Sequence, residues 1–184
     1  MDRDPRGALL QILRRDAVLH GDFVLSSGQR SPYYLDARRV TLSAAAAPLV
    51  GLIFLREIQD LPVDAVAGLT VGADPIVSAV ATVSGQRGHP VDGLIVRKAV
   101  KGHGAARRIE GPWRQDMRVV VVEDTMTTGA SALEAARAIR GEGGSVLAVW
   151  GLIDRKQGAR EAIEAAGYTF GAIYSVDELL IVRP

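Results

Sequence analysis

Four consecutive valines, Val119, Val120, Val121 and Val122, run straight into Glu123-Asp124-Thr125-Met126-Thr127-Thr128-Gly129-Ala130-Ser131, and an alanine-rich helical pattern follows. The order is strand, two acids, a hydroxyl-rich turn with one glycine, then a helix start. Backbone N–H groups in the first turn of a helix lack partners and sit at the positive end of its dipole, so such a junction is a ready seat for phosphate. Gly129 lets the backbone approach an anion closely, and Thr125, Thr127, Thr128 and Ser131 can add hydroxyl donors. Glu123 and Asp124, at the carboxyl end of the strand, are acceptors for sugar hydroxyls lying beside that phosphate. Two acids next to a phosphate nest fit a ribose phosphate better than a bare anion. Any one of these residues alone could be a solvated turn or a helix cap; their consecutive arrangement is what carries chemistry. No Gly-Lys-Thr/Ser ending follows, so a nucleoside triphosphatase loop is not supported.

Two further clusters have chemical potential. Arg97, Lys98, Lys101 and His103 place three fixed cations and one titratable group within seven residues. They open residues 98–115, the one long stretch without periodicity, and a loop of that length inside a compact domain is usually functional. The turn Gly68-Leu69-Thr70-Val71-Gly72-Ala73-Asp74 follows an apolar run and is a weak signal by itself, because tight glycine turns are common. His20, His89 and His103 are too scattered to make a histidine metal site.

The elements that must position these groups read as alternating strand and helix. Helical spacing covers residues 4–19, with Gly21 as the stop, and residues 23–25 and 32–35 are two short extended pieces around Ser26-Ser27-Gly28. Residues 40–55 read as a core helix, too short for a bilayer and containing Ser43 and Pro48. Strands are expected at 63–69, 92–96, 118–122, 145–153 and 169–174, and helices at 75–83, 130–140 and 159–166. Uninterrupted apolar strands alternating with helices predict an α/β fold, a central mostly parallel sheet flanked by helices, with a small N-terminal hood or cap. The expected organisation is a single domain over 1–184, with cap elements in 1–40 and the core sheet and helices in 62–175.

Composition bounds the rest. The 184 residues are 48% hydrophobic, enough for a sizeable core. Lys plus Arg number 22 against 21 Asp plus Glu, and this near-balance gives no reason to expect nucleic acid or an anionic membrane as partner. Cysteine is absent, which excludes disulfides and thiolate chemistry and fits a reducing, cytoplasmic setting. The charged start, residues 1–6, is not the layout of a secretory signal.

The segment from Glu123 to Ser131 resembles the phosphoribosyl diphosphate (PRPP) signature of the type I phosphoribosyltransferases. Two more motifs narrow the resemblance to the orotate phosphoribosyltransferase family: Phe23-Val24-Leu25-Ser26-Ser27-Gly28 with Ser31-Pro32-Tyr33-Tyr34-Leu35-Asp36, and Arg97-Lys98-Ala99-Val100-Lys101-Gly102-His103-Gly104. Leu152-Ile153-Asp154-Arg155 lies where that family places its orotate-contacting arginine. The resemblance implies transfer of ribose 5-phosphate from PRPP to orotate, giving orotidine 5'-phosphate and diphosphate, in pyrimidine biosynthesis. It implies catalytic roles for Arg97, Lys98, Lys101 and His103. It implies PRPP contacts from those four and from Glu123, Asp124, Thr125, Met126, Thr127, Thr128, Gly129, Ala130 and Ser131. Orotate would meet Thr127, Arg155, Tyr34 and Leu35.

By the same resemblance, Mg²⁺ is held mainly through the PRPP diphosphate rather than by protein ligands, and a homodimer shares its sites through the Arg97 to Gly104 loop. The turn from Gly68 to Asp74 lies where the family binds diphosphate through backbone amides. Many members carry a lysine before the Ser-Gly pair and another in this turn, where this chain has Ser26 and Gly72, so those side-chain contacts do not carry over. A purine or uracil phosphoribosyltransferase would share the Glu123 to Ser131 segment but not the other two motifs. A non-catalytic PRPP-sensing regulator of RNA or DNA would favour a basic face or an added module, and neither is evident.

Overall fold

Asp4 starts the first helix, α1 (Pro5–Asp16), by accepting a hydrogen bond on Oδ1 from the Gly7 amide at 2.9 Å, and Pro5 fills a position that needs no donor. The structure, a computed structural model, describes residues 4–24, 30–98 and 108–180. After α1, β1 (Val18–Val24) and β2 (Arg30–Leu35) pair antiparallel as a two-stranded sheet of their own. Two helices follow, α2 (Arg38–Thr41) and α3 (Ala47–Ile58). The remainder alternates: β3 (Ala65–Leu69), α4 (Asp74–Gln86), β4 (Asp92–Val96), β5 (Ile109–Glu110), β6 (Arg118–Met126), α5 (Ala130–Gly141), β7 (Ser145–Asp154), α6 (Ala159–Ala165), β8 (Thr169–Ser175) and α7 (Val176–Leu180).

These strands form one six-stranded sheet in the order β5-β4-β3-β6-β7-β8. Every neighbouring pair is parallel except β4 with β5. The sheet is mostly parallel because both of its faces are covered. In β6, Val119 and Val121 join a core with Leu133, Ala136 and Ile139 of α5, while Val120 and Val122 join a core with Phe54 of α3 and Ile76 and Val80 of α4. The topology has one switch. Strands β3 and β6 lie side by side and run parallel, yet the helices that follow them, α4 and α5, contribute to opposite cores. In open sheets of this kind the crevice outside the carboxyl ends at the switch is where ligands bind.

Three expected elements differ in extent. The helix expected over 4–19 stops at Asp16, because Val18 and Leu19 are claimed by the hairpin, where they pair with Leu35 and Tyr34. The core helix expected over 40–55 is two helices. Ser43 breaks it by accepting the Ala46 amide on Oγ at 3.2 Å, and Pro48 then sits in the first turn of α3, where no intrahelical donor is required. The strand expected to end at Val122 continues to Met126, since β7 pairs with it through Met126 and Asp154. Strand β5 falls within the stretch read as aperiodic, and residues 99–107 of that stretch lie outside the described residues. Helices α2 and α7, four and five residues long, are too short for a periodic signal.

The amino ends of the two switch strands are pinned together. Asp64, just before β3, takes the Arg118 amide at 2.7 Å on Oδ2, and the Arg118 guanidinium bonds both carboxylate oxygens at 2.9 and 2.8 Å. These hydrogen bonds, the side-chain ones first, pull the Asp64 carboxyl down from 3.8 to about 2. A carboxyl depressed on folding contributes stability above its unfolded value, and that contribution is lost as pH falls from about 4 to about 2. Asp64→Asn is expected to lower the urea midpoint at neutral pH and to flatten the acid limb of the stability profile; an unchanged acid limb would show that the pair does not act in folding.

Candidate functional site

Two hollows open beyond the carboxyl ends of β3 and β6, on either side of Glu123 and Asp124. The smaller, about 100 Å³, is lined by Glu123, Thr125, Met126, Thr127, Thr128, Gly129, Ala130, Ser131 and Ala132. Gly129 adopts φ 77° at the head of α5, a left-handed conformation that a side chain would strain, and a Cβ there would also press on Ile163 at 3.2 Å. The first helical hydrogen bond in α5 runs from the Leu133 amide to the Gly129 carbonyl at 2.9 Å. The amides of Ala130, Ser131 and Ala132 therefore precede that ladder and line the hollow with the hydroxyls of Thr125, Thr127, Thr128 and Ser131. Met126 is buried beneath it, its side chain laid against Gly151 of β7, so it contributes floor and backbone rather than a polar group.

The larger hollow, about 450 Å³, lies between the hairpin and the sheet. Tyr34 and Leu35 of β2 line it together with Gly72, Asp124, Thr125, Thr127 and Arg155. Arg155 is fixed by its own backbone, whose amide donates to the Met126 carbonyl at 2.9 Å, and its Nε is buried with no partner among the described residues. A buried donor left unpaired costs about 1–3 kcal/mol, so a guanidinium in that state is arranged for something outside the chain. Gly72 brings the β3–α4 turn close to the acids. A Cβ on it would lie 2.7 Å from Asp124 Oδ1, and one on Gly68 would lie 2.2 Å from Ala73 Cβ and 2.6 Å from the Val122 carbonyl.

The paired acids differ in environment. Glu123 is 7% exposed, its Oε1 accepts the Asp124 amide at 3.2 Å, and its Oε2 has no partner among the described residues. Burial first, and the adjacent Asp124 charge second, push the Glu123 carboxyl up from 4.5 to about 8, opposed weakly by Lys98. Asp124 is half-buried and receives the Thr125 amide at 2.7 Å on Oδ1. Among the described residues, no three His, Cys, Asp or Glu side chains converge on a metal position. The donor set still suits Mg²⁺ shared with a phosphorylated ligand, because that ion keeps its waters and needs only one or two carboxylates beside phosphate oxygens.

The structure therefore brings together Glu123 to Ser131, Thr127, Arg155, Tyr34 and Leu35. It does not bring Arg97 to either hollow. That guanidinium follows β4 and donates to Glu110 at 3.0 Å, while its amide bonds the Arg108 carbonyl at 2.9 Å. Lys98 is near enough for its charge to act on Glu123. Lys101 and His103 lie outside the described residues, as do Ser26, Ser27 and Gly28. Val24 and Asp36, members of the N-terminal motif given no role in the sequence, also line the larger hollow, as do Ala37 and Arg38, not singled out there. The only signal for the last two is proximity to the Ser31 to Asp36 motif.

Relatives decide what kind of protein carries this arrangement. An orotate phosphoribosyltransferase from Streptomyces avermitilis is 50% identical over 177 residues, covering 96% of this chain and 97% of the relative. The chain belongs to the orotate phosphoribosyltransferase family. A crystal structure of the family member from Mycobacterium tuberculosis superposes with a TM-score of 0.88 at 42% identity, covering 96% of this chain and 99% of that one. The same enzyme in complex with 5-phospho-α-D-ribosyl 1-diphosphate gives a TM-score of 0.83 at 39% identity, covering 95% and 98%. No family model matches the chain. The mostly parallel sheet, flanked by helices and preceded by a hairpin, is thus the fold of this family. Among the described residues, no helix is long and apolar enough to cross a membrane.

The buried acid gives this site a pH signature. Its raised value means that the stability contributed by neutral Glu123 is complete below about 4.5 and is lost as pH rises through about 8. Without ligand, the wild-type chain should lose stability between pH 5 and pH 8 in thermal melts. Glu123→Gln should remove most of that slope, and parallel profiles for the two proteins would contradict the buried, unpaired acid.

Proposed function

We propose that this chain transfers ribose 5-phosphate from PRPP to orotate, releasing diphosphate and forming orotidine 5'-phosphate, in the synthesis of pyrimidine nucleotides. The observation that carries this reading is the placement of two hollows on either side of one acidic pair. The α5 end offers amides and hydroxyls to the 5-phosphate, and the hairpin side offers Arg155, Thr127, Tyr34 and Leu35 to a planar carboxylate. Asp124 faces the space between them and accepts from the ribose hydroxyls. Thr125, Met126, Thr128, Gly129, Ala130 and Ser131 complete the phosphate seat.

In the reaction the bond from the anomeric carbon to the diphosphate oxygen breaks, and a bond from that carbon to the pyrimidine nitrogen forms. Positive charge grows on the sugar and negative charge on the departing diphosphate, so catalysis rests on positioning and charge stabilisation. The carboxylates flank the sugar, and the amides of the β3–α4 turn face the diphosphate. Asp124 is the carboxylate that would help hold a Mg²⁺ shared with the diphosphate, and the ion would neutralise part of the leaving group's charge. Arg97, Lys98, Lys101 and His103 supply the remaining cationic groups, with Lys101 and His103 acting on the leaving group.

Arg97 is turned toward Glu110, away from both hollows of its own chain, which favours service to a neighbouring subunit. The chain acts in this reading as a single domain in a homodimer with shared sites. A surface suited to the partner lies beside α2 and α4, where Leu42 is 70% exposed and lines a groove of about 480 Å³. The absence of cysteine supports a cytoplasmic setting.

The purified protein with PRPP and Mg²⁺ should consume orotate, followed as loss of its ultraviolet absorbance. Turnover with uracil or a purine but not orotate would move the chain to a neighbouring specificity. Arg155→Ala should raise the KM for orotate by about tenfold or more, as expected for a lost charge-assisted pair, with a smaller effect on the KM for PRPP. Mixing Asp124→Ala with Lys101→Ala protein should restore part of the activity through mixed dimers. If mixed dimers form and remain inactive, the sharing of sites is wrong.

A further inference from the structure

The larger hollow contains a second guanidinium that the reading above leaves without a task. Arg38, in α2, lines the 450 Å³ hollow and also a neighbouring one that includes Val71. It therefore shares one hollow with Gly72 and the other with Val71, the centre of the β3–α4 turn. That turn, Gly68-Leu69-Thr70-Val71-Gly72-Ala73-Asp74, has no Lys or Arg of its own, and its single charged residue is an acid. An anion bound to the turn's amides would face Asp124 and Asp74 without any side-chain cation from the turn itself.

We propose that Arg38 binds the diphosphate end of PRPP, supplying from α2 the side-chain cation that the β3–α4 turn lacks. This rests on PRPP being the substrate and adds the residue that holds its leaving group. Arg38 Nε donates to Asp36 Oδ1 at 3.0 Å, which orients the guanidinium, while Nη1 and Nη2 make no hydrogen bond among the described residues. Those two nitrogens form the fork that pairs with adjacent phosphate oxygens. Asp36 first, with smaller contributions from Tyr34 and Asp124, favours the charged guanidinium of Arg38. Arg155 and Thr127 line the same hollow. The two guanidiniums thus divide the two anions, with Arg155 on the pyrimidine carboxylate and Arg38 on the diphosphate. Arg39, its neighbour, lines only the outer hollow with Val71 and provides a matched control.

Steady-state kinetics and calorimetric titration with Mg²⁺-pyrophosphate test this. Arg38→Ala should raise the KM for PRPP and the Kd for pyrophosphate by about ten- to a hundredfold, the range for a charge-assisted hydrogen bond. It should leave the KM for orotate and the affinity for ribose 5-phosphate within about twofold. Arg38→Lys should recover part of the loss, and Arg39→Ala should change none of these values. Unchanged PRPP and pyrophosphate constants in Arg38→Ala overturn the assignment, as does a rise confined to orotate. Loss of ribose 5-phosphate binding in both Arg38 variants would mark a structural role and overturn it equally. If the wild-type chain binds pyrophosphate through Arg38 yet does not turn over orotate, the reaction is misassigned while the Arg38 site stands.

Discussion

Two parallel strands that lie side by side but send the chain to opposite faces of a sheet cannot have their carboxyl ends covered by either helix. β3 and β6 are such a pair, and the crevice between their ends gathers Glu123 to Ser131, Arg155 and the Tyr34-Leu35 pair. The crevice must be narrow as well as open. Gly68 packs against the Val122 carbonyl and Ala73, and Gly72 against the Asp124 carboxylate, at distances a Cβ could not tolerate. Bulkier residues at those two positions would separate the β3–α4 turn from the acids. The amides on one side and the carboxylates on the other could then no longer address one small ligand.

Unsatisfied buried polar atoms concentrate around this crevice among the described residues. Of four buried side-chain atoms without a partner among the described residues, Glu123 Oε2 and Arg155 Nε belong to the two hollows, and Asp74 Oδ1 to the turn that faces them. Each lies at the end of an element whose apolar side is deeply buried: β6 between two cores, β7 beside it, and α4 against β3. A rigid apolar framework thus holds polar groups in positions they would not choose, and a ligand that completes them recovers the desolvation already incurred. The upward shift of the Glu123 carboxyl, from burial first and the adjacent Asp124 second, limits repulsion between the paired acids.

The parts of this plan visible in the amino-acid sequence were those with strong local signals. The valine run of β6, the acids and threonines after it, and the glycine at the head of α5 are contiguous, so one reading of residues 119–131 gives both elements and chemistry. Arg155 and the Tyr34-Leu35 pair are distant in sequence, and only resemblance to a family joined them to that segment. What the sequence hid has physical causes. Val18 and Leu19 fit a helical face as well as a strand, and only pairing with β2 decides between them. The continuation of β6 through Glu123 and Asp124 runs against strand propensity and is enforced by β7. Arg38 has no periodic or motif signal of its own, since its meaning depends on a turn more than thirty residues away.

Charge is therefore organised locally in a chain whose overall balance is close to zero. The larger hollow has two acids, Asp36 and Asp124, and two guanidiniums, Arg38 and Arg155, on its walls. A cavity with paired opposite charges has little net pull on anions in bulk solution, so it selects by placement rather than by field strength. On the proposed reading two substrates complete it together, a pyrimidine carboxylate at Arg155 and a sugar diphosphate at Arg38, with the sugar hydroxyls at the acids. A simple phosphate or carboxylate satisfies one end and leaves the other unpaired. Discrimination on this basis comes from leaving buried groups unsatisfied, which is more costly than the loss of any single contact on an exposed surface.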